Sequence, residues 1–210
     1  MTRELVHGEP SSEILRAAAS HADLLVMGTL GRTGLAHLLL GSVAERTARE
    51  APCPVLVVRP RDTPPALPKT LLVPIDFSPG SDRSVALARE LMTQLGGDGR
   101  VVLVHAHDVE DLPRVPQPHL DSLAWALAEF APKELEEMSA ELKRCGLGCS
   151  AHIERGHPAQ VIAERARAEQ ADWIVMSSHG HSGPSRWRIG SVTARVLRTA
   201  PCSVLVLRSR

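Results

Sequence analysis

Asp172-Trp-Ile-Val-Met-Ser-Ser-His-Gly180, then nine residues, then Gly190-Ser-Val192, then Ala200-Pro-Cys-Ser-Val-Leu-Val-Leu-Arg208: these stretches decide the fold. Trp173–Met176 is a short apolar run behind an acid, the pattern of a strand buried on both faces. Ser191–Thr199 reads as a helix behind a glycine-serine start, and Val204–Leu207 as a last buried strand. The same text occurs earlier in the chain. A shift of 149 residues lays Asp23–Arg59 over Asp172–Arg208, and 17 of the 37 pairs are identical. Asp23-Leu-Leu-Val-Met-Gly28 stands over Asp172–Ser177, Gly41-Ser-Val43 over Gly190–Val192, and Ala51–Arg59 over Ala200–Arg208. Upstream, with a one-residue gap, Gly8-Glu-Pro10 and Ile14 match Gly156-His-Pro158 and Ile162.

Only the later copy has a long stretch in front of this match, from Lys69 to Arg155. It alternates strand and helix patterns. Thr70–Ile75 and Val101–Val104 are apolar runs, and Ser81–Leu95 carries Val85, Ala88, Leu91, Met92 and Leu95 at helical spacing before Gly96-Gly97. Leu120–Lys143 reads as a helix broken before Pro132, Ser150–Glu154 as a strand nearer an edge, and Pro158–Glu169 as a helix with proline in its first turn. Strands separated by helices favour a doubly wound parallel α/β sheet with right-handed crossovers. Three units follow: a C-terminal half-copy over 1–60, a linker over 61–68 and a complete unit over 69–210. Pro60-Arg-Asp-Thr-Pro-Pro-Ala-Leu-Pro68 has four prolines in nine residues, too many for a hydrogen-bonded ladder.

In an open α/β sheet ligands sit beyond the carboxyl ends of the strands. Two such ends carry unusual chemistry: Val73-Pro-Ile-Asp76-Phe-Ser78, and the loop Ser177-x2-Gly180-x9-Gly190-Ser191, whose earlier copy is Gly28-x2-Gly31-x9-Gly41-Ser42. Glycines let backbone amides approach an anion closely. Gly190-Ser191 opens a helix whose free amides and dipole point at the same place. Phosphate binding is the chemistry that needs this pattern. Turn chemistry alone is the plainer alternative, for the loop and for Asp76.

With its Gly-x2-Gly-x9-Gly-Ser spacing, the preceding Val-Met and the following Ala-Pro-Cys-x-Val-Leu-Val, the chain resembles the universal stress protein family. The resemblance implies a flavodoxin-like five-stranded sheet of order 3-2-1-4-5, preceded here by the half-copy. It also implies binding of ATP or AMP, with Mg admissible as counter-ion, and dimerisation through the last strand. Carried over by motif, the nucleotide contacts are Pro74, Asp76, Ala106, Met176, Ser177, Gly180, Gly190, Ser191 and Val192. Ser177 departs from the motif's first glycine. Gly28, Gly31, Gly41 and Ser42 form a degenerate half-site: the half-copy lacks the strands bearing the aspartate and the adenine contact, and Leu30 stands where the later copy has His179. No complete pocket is expected there.

The remaining residues are weaker signals. His179 and His181 with Arg186 and Arg188 make a basic cluster beside the expected phosphates, or a solvated loop. His105 and His107 share one strand face near Asp108, but no second ligand pair stands at zinc-like spacing. Cys53 and Cys202 are repeat equivalents suited to packing; Cys145 and Cys149 flank a turn and lack a second pair.

Twenty-four basic against 24 acidic side chains leave no net charge for a nucleic-acid or anionic-membrane surface. Three Trp and two Phe offer little for base stacking, and no apolar run approaches the ~20 residues of a membrane span. Without a secretory leader at Met1–Pro10, a cytoplasmic location is expected. The expected function is regulatory adenine-nucleotide binding in a stress response; the alternative is a scaffold that binds no nucleotide and acts through dimerisation. No P-loop or nucleophile–base pair is present, so at most slow, incidental ATP hydrolysis is expected. In family order the half-copy offers the edge of a third strand, Leu24–Met27 and Val55–Val58. The last of these is expected to pair antiparallel with Val204–Leu207, as an intrachain pseudo-dimer. Its bare side would be covered by a second chain or by helix rearrangement; alternatively, an upstream half precedes Met1.

Overall fold

The computed structural model describes residues 3–28, 40–59, 67–96, 98–107, 117–180 and 189–208. Its elements are α1 (Pro10–His21), β1 (Leu25–Gly28), α2 (Ser42–Glu50), β2 (Val55–Val58), β3 (Thr70–Pro74), α3 (Pro79–Gln94), β4 (Arg100–His107), α4 (Gln117–Arg144), β5 (Gly148–Arg155), α5 (Pro158–Ala168), β6 (Trp173–Ser177), α6 (Ser191–Thr199) and β7 (Ser203–Leu207). Proline at the first helical position starts α1, α3 and α5, where its missing N–H has no partner to lose. Glu9 caps α1, accepting from the amides of Ser11 and Ser12, and those bonds with the two hydroxyls hold its carboxyl at about 2.

The strands form one seven-stranded sheet in the order β1-β2-β7-β6-β3-β4-β5. Its right-hand five, read outward as β5-β4-β3-β6-β7, have the expected 3-2-1-4-5 order and are parallel throughout. β2 joins β7 antiparallel, with Val55 opposite Val206, Leu56 opposite Leu205 and Val57 opposite Val204. The half-copy and the complete unit therefore share one sheet. Arg198 of α6 reaches Glu45 of α2 at 3.1 Å beside that seam.

Strand residues alternate between two cores. On one face Val57, Leu72, Val102, Ile174 and Val204 pack with Ala48 of α2, Ile162 of α5 and Leu197 of α6. On the other, Leu71, Val73, Leu103, Val175 and Leu205 pack with Ala88 and Met92 of α3 and Leu135 and Leu142 of α4. These runs are apolar on both faces because helices cover both.

Two expectations are corrected. α4 runs through Pro132 unbroken. Proline forfeits one backbone bond, but Ala131, Leu135 and Leu142 anchor the helix from both sides of it in the core. Residues 3–9 form no strand, so among the described residues the half-copy contributes two strands rather than the edge of a third. β1, at the end of the sheet, pairs with β2 alone among the described residues. Leu24, Val26 and Val58 are 47%, 58% and 37% exposed, on the face that α3 and α4 cover in the complete unit. Most of the linker (60–66) lies outside the described residues.

Candidate functional site

β3 and β6 are neighbours at the centre of the sheet, and the chain leaves both at the same end. Beyond β3, alternation puts Pro74 and Asp76 on the α5/α6 face and Ile75 and Phe77 on the α3/α4 face. Ser78 caps α3: its hydroxyl accepts from the Ser81 amide at 3.3 Å and donates to Asp76 Oδ1 at 2.6 Å. The Ser78 amide donates to the same oxygen at 3.1 Å. Phe77, between them, has φ +59°, a left-handed conformation that costs a bulky residue about 1–3 kcal/mol.

The glycine loop is pinned at its two ends. The Gly190 amide donates to the Ser178 carbonyl at 2.7 Å, and the Ser178 amide to the Leu207 carbonyl at 2.7 Å. Thr193 Oγ1 donates to the Ser177 carbonyl at 3.0 Å. Gly190 is the N-cap of α6 and supplies no side chain to cap it, so the first amides of the helix remain for another acceptor. Gly180 lies against Asp76: a Cβ at 180 would overlap Asp76 Oδ2. The departure at Ser177 is absorbed locally. Its side chain packs where a Cβ of Gly80 would stand, and its hydroxyl donates to the His179 carbonyl at 2.5 Å.

The two strand ends enclose a cavity of about 260 Å³. All nine residues expected from the motif line it: Pro74, Asp76, Ala106, Met176, Ser177, Gly180, Gly190, Ser191 and Val192. Val104, Pro158, Ile162, Ser81 and Thr193 also line it and were not expected. Ile162 and Val104 carried a signal only as core residues; that they face a ligand-sized space depends on the crossover of α5. Asp76 is the one carboxylate among the described residues that line it. His179 also lines the cavity, and burial pushes its imidazole below the usual value.

Other expected residues fall elsewhere. Gly28 ends β1 and Gly41 caps α2, whereas Gly31 and Leu30 lie outside the described residues. So do His181, Arg186, Arg188 and Asp108. His105 Nδ1 is 2.8 Å from the Ile75 carbonyl, and burial lowers the affinity of the ring for a proton. Among the described residues no group of three or more His, Cys, Asp or Glu side chains is placed to hold a metal. Cys53 and Cys202 are buried thiols ahead of β2 and β7; Cys145 is exposed. No helix among the described residues is long and apolar enough to cross a membrane.

Residues 2–59 and 68–208 match the Universal stress protein family. The chain is 31% identical over 209 residues to universal stress protein Rv2005c of Mycobacterium tuberculosis, covering 98% of this chain and 68% of that one. It is 56% identical over 57 residues to universal stress protein MJ0531 of Methanocaldococcus jannaschii, covering 27% of this chain and 34% of that one. The crystal structure of a universal stress protein from Archaeoglobus fulgidus superposes with a TM-score of 0.72 at 25% identity, over 96% of this chain and 67% of that one. On fold, motif and sequence together, the chain belongs to the universal stress protein family.

Proposed function

We propose that the chain is a cytoplasmic regulatory protein that binds an adenine nucleotide, ATP or AMP, in the cavity between β3 and the loop after β6. The observation that carries the reading is the convergence of Asp76, Gly180 and the uncapped start of α6 on one cavity. The apolar part of the wall, Val104, Ala106, Ile162 and Met176, suits a purine. The glycine loop and the amides of Ser191 and Val192 suit the phosphates at the mouth. At about 260 Å³ the cavity sits just below the ~300–1,000 Å³ of ordinary ligand pockets, so a nucleotide would reach beyond it at the phosphate end. Any Mg would be carried by those phosphates, beside the Asp76 carboxylate. The protein is not an enzyme in this reading. Titration with ATP, AMP and GTP tests it: adenine nucleotides bind and GTP does not, and failure of all three refutes the pocket.

The second reading, a scaffold acting through assembly, draws on the β2–β7 seam, which already joins two last strands antiparallel within one chain. The outer edge of β1, which pairs with β2 alone among the described residues, extends it to association between chains, as a homo-oligomer.

A further inference from the structure

The chain contains two phenylalanines, and they touch. The Phe77 ring meets Phe130 of α4 edge-on, with centroids 5.3 Å apart, and the tilted His105 ring at 4.8 Å. His105 is itself fixed by its 2.8 Å contact with the Ile75 carbonyl. Residue 76 therefore stands between two anchored neighbours. Ile75 is held in the sheet by its amide bond to the Val104 carbonyl at 2.8 Å, and Phe77 is held by the two rings. The left-handed turn at Phe77 is one that a side chain of this bulk adopts only under constraint. A residue just ahead of a helix cap commonly packs on the fourth residue of that helix, here Asp82, which offers no apolar surface. The ring goes instead to the far face of the sheet, while the carboxylate of Asp76 goes to Gly180 on the near face.

We propose that Phe77 is a positioning residue for the nucleotide site: its ring, in contact with His105 and Phe130, holds the left-handed turn that aims the Asp76 carboxylate at Gly180. α4 is thereby connected through Phe130 to the cavity at the end of β3. The inference rests on the nucleotide-binding reading for its consequence and on the Asp76–Gly180 contact for its geometry. Ring packing that served stability alone would leave the aim of Asp76 unchanged.

The test is a double-mutant cycle on the full chain, read by ATP titration. Phe77→Ala is expected to weaken ATP binding about tenfold, one decade of Kd, in the otherwise unchanged protein. In the Asp76→Ala background it should change binding by less than about twofold, because the residue it acts through is gone. Phe77→Tyr keeps the ring and should restore affinity. Equal losses in both backgrounds overturn the proposal. Phe130→Ala, at a position 47% exposed and so tolerant of truncation, gives a readout that needs no ligand. In the nucleotide-free protein it should shift the backbone amide resonances of Ser78 and Gly180. Unmoved resonances overturn the positioning role; shifted resonances in a protein that takes up no ATP support it and refute the nucleotide reading instead.

Discussion

Asp76 Oδ2 occupies the space that any side chain at position 180 would need. The end of β3 and the loop after β6 are thus in contact, and the glycine is required there by proximity. Gly180 carries no positive φ among the described glycines, so substitution acts by displacing Asp76 rather than by straining the backbone. Gly180→Val is expected to lower ATP affinity at least about tenfold, or ~1.4 kcal/mol. Its melting temperature should stay within about 4 °C of the parent, the span of 1 kcal/mol in a chain this long, because position 180 is exposed. Titration and melting of the two proteins side by side check both halves.

Arg59 ties the half-copy to the complete unit. Its Nη2 donates to the carbonyls of Leu197 and Arg198, each at 2.7 Å, in the last turn of α6. These carbonyls have no helical partner, and a cation at a helix C-terminus is favourable. Arg59→Met is expected to destabilise the chain by about 1–2 kcal/mol, lowering the melting temperature by roughly 2–8 °C. Calorimetry measures it, and an unchanged melt would mean that the Arg59 side chain adds nothing to the seam.

Two histidines make stability depend on pH. Burial depresses the proton affinity of His105 below its ordinary 6.5, against the opposing pull of the Ile75 carbonyl, and burial likewise depresses that of His179. As pH falls through about 6.5 the unfolded chain takes up protons first, so stability is lost from there down through the folded-state values and is full above. Urea midpoints at pH 7.5 and 5.0 should therefore separate more in the parent than in His105→Gln. An identical separation would remove His105 from the account.

The parallel core of the complete unit was legible because its strands are continuous apolar runs between prolines and glycines, and the nine motif residues do line one cavity. The family resemblance, which implies dimerisation through the last strand, made the antiparallel match of Val55–Val58 with Val204–Leu207 readable. What was not legible had a tertiary cause. Pro132 breaks isolated helices, and only the buried Leu135 and Leu142 beyond it show why α4 continues. Val104 and Ile162 look like any core residues until α5 crosses over the sheet. That Ser177 is accommodated by Gly80 joins positions 97 residues apart, which no local pattern records.

The outer edge of β1 bears on assembly. Val26 is 58% exposed on a strand that pairs on one side among the described residues, and such edges recruit further strands or chains. Light scattering on the size-exclusion peak is expected to report more than one chain, and Val26→Lys to shift the population toward one. A parent protein that is monomeric and free of aggregation would show that this edge needs no partner.

Native mass spectrometry of the freshly purified chain, set beside Gly180→Val, addresses the cavity itself. The parent should carry an added mass of ATP or AMP, or acquire it on incubation with ATP, and the variant should carry neither. No adduct on the parent after incubation, or equal adducts on both proteins, would contradict nucleotide binding between Asp76 and the glycine loop.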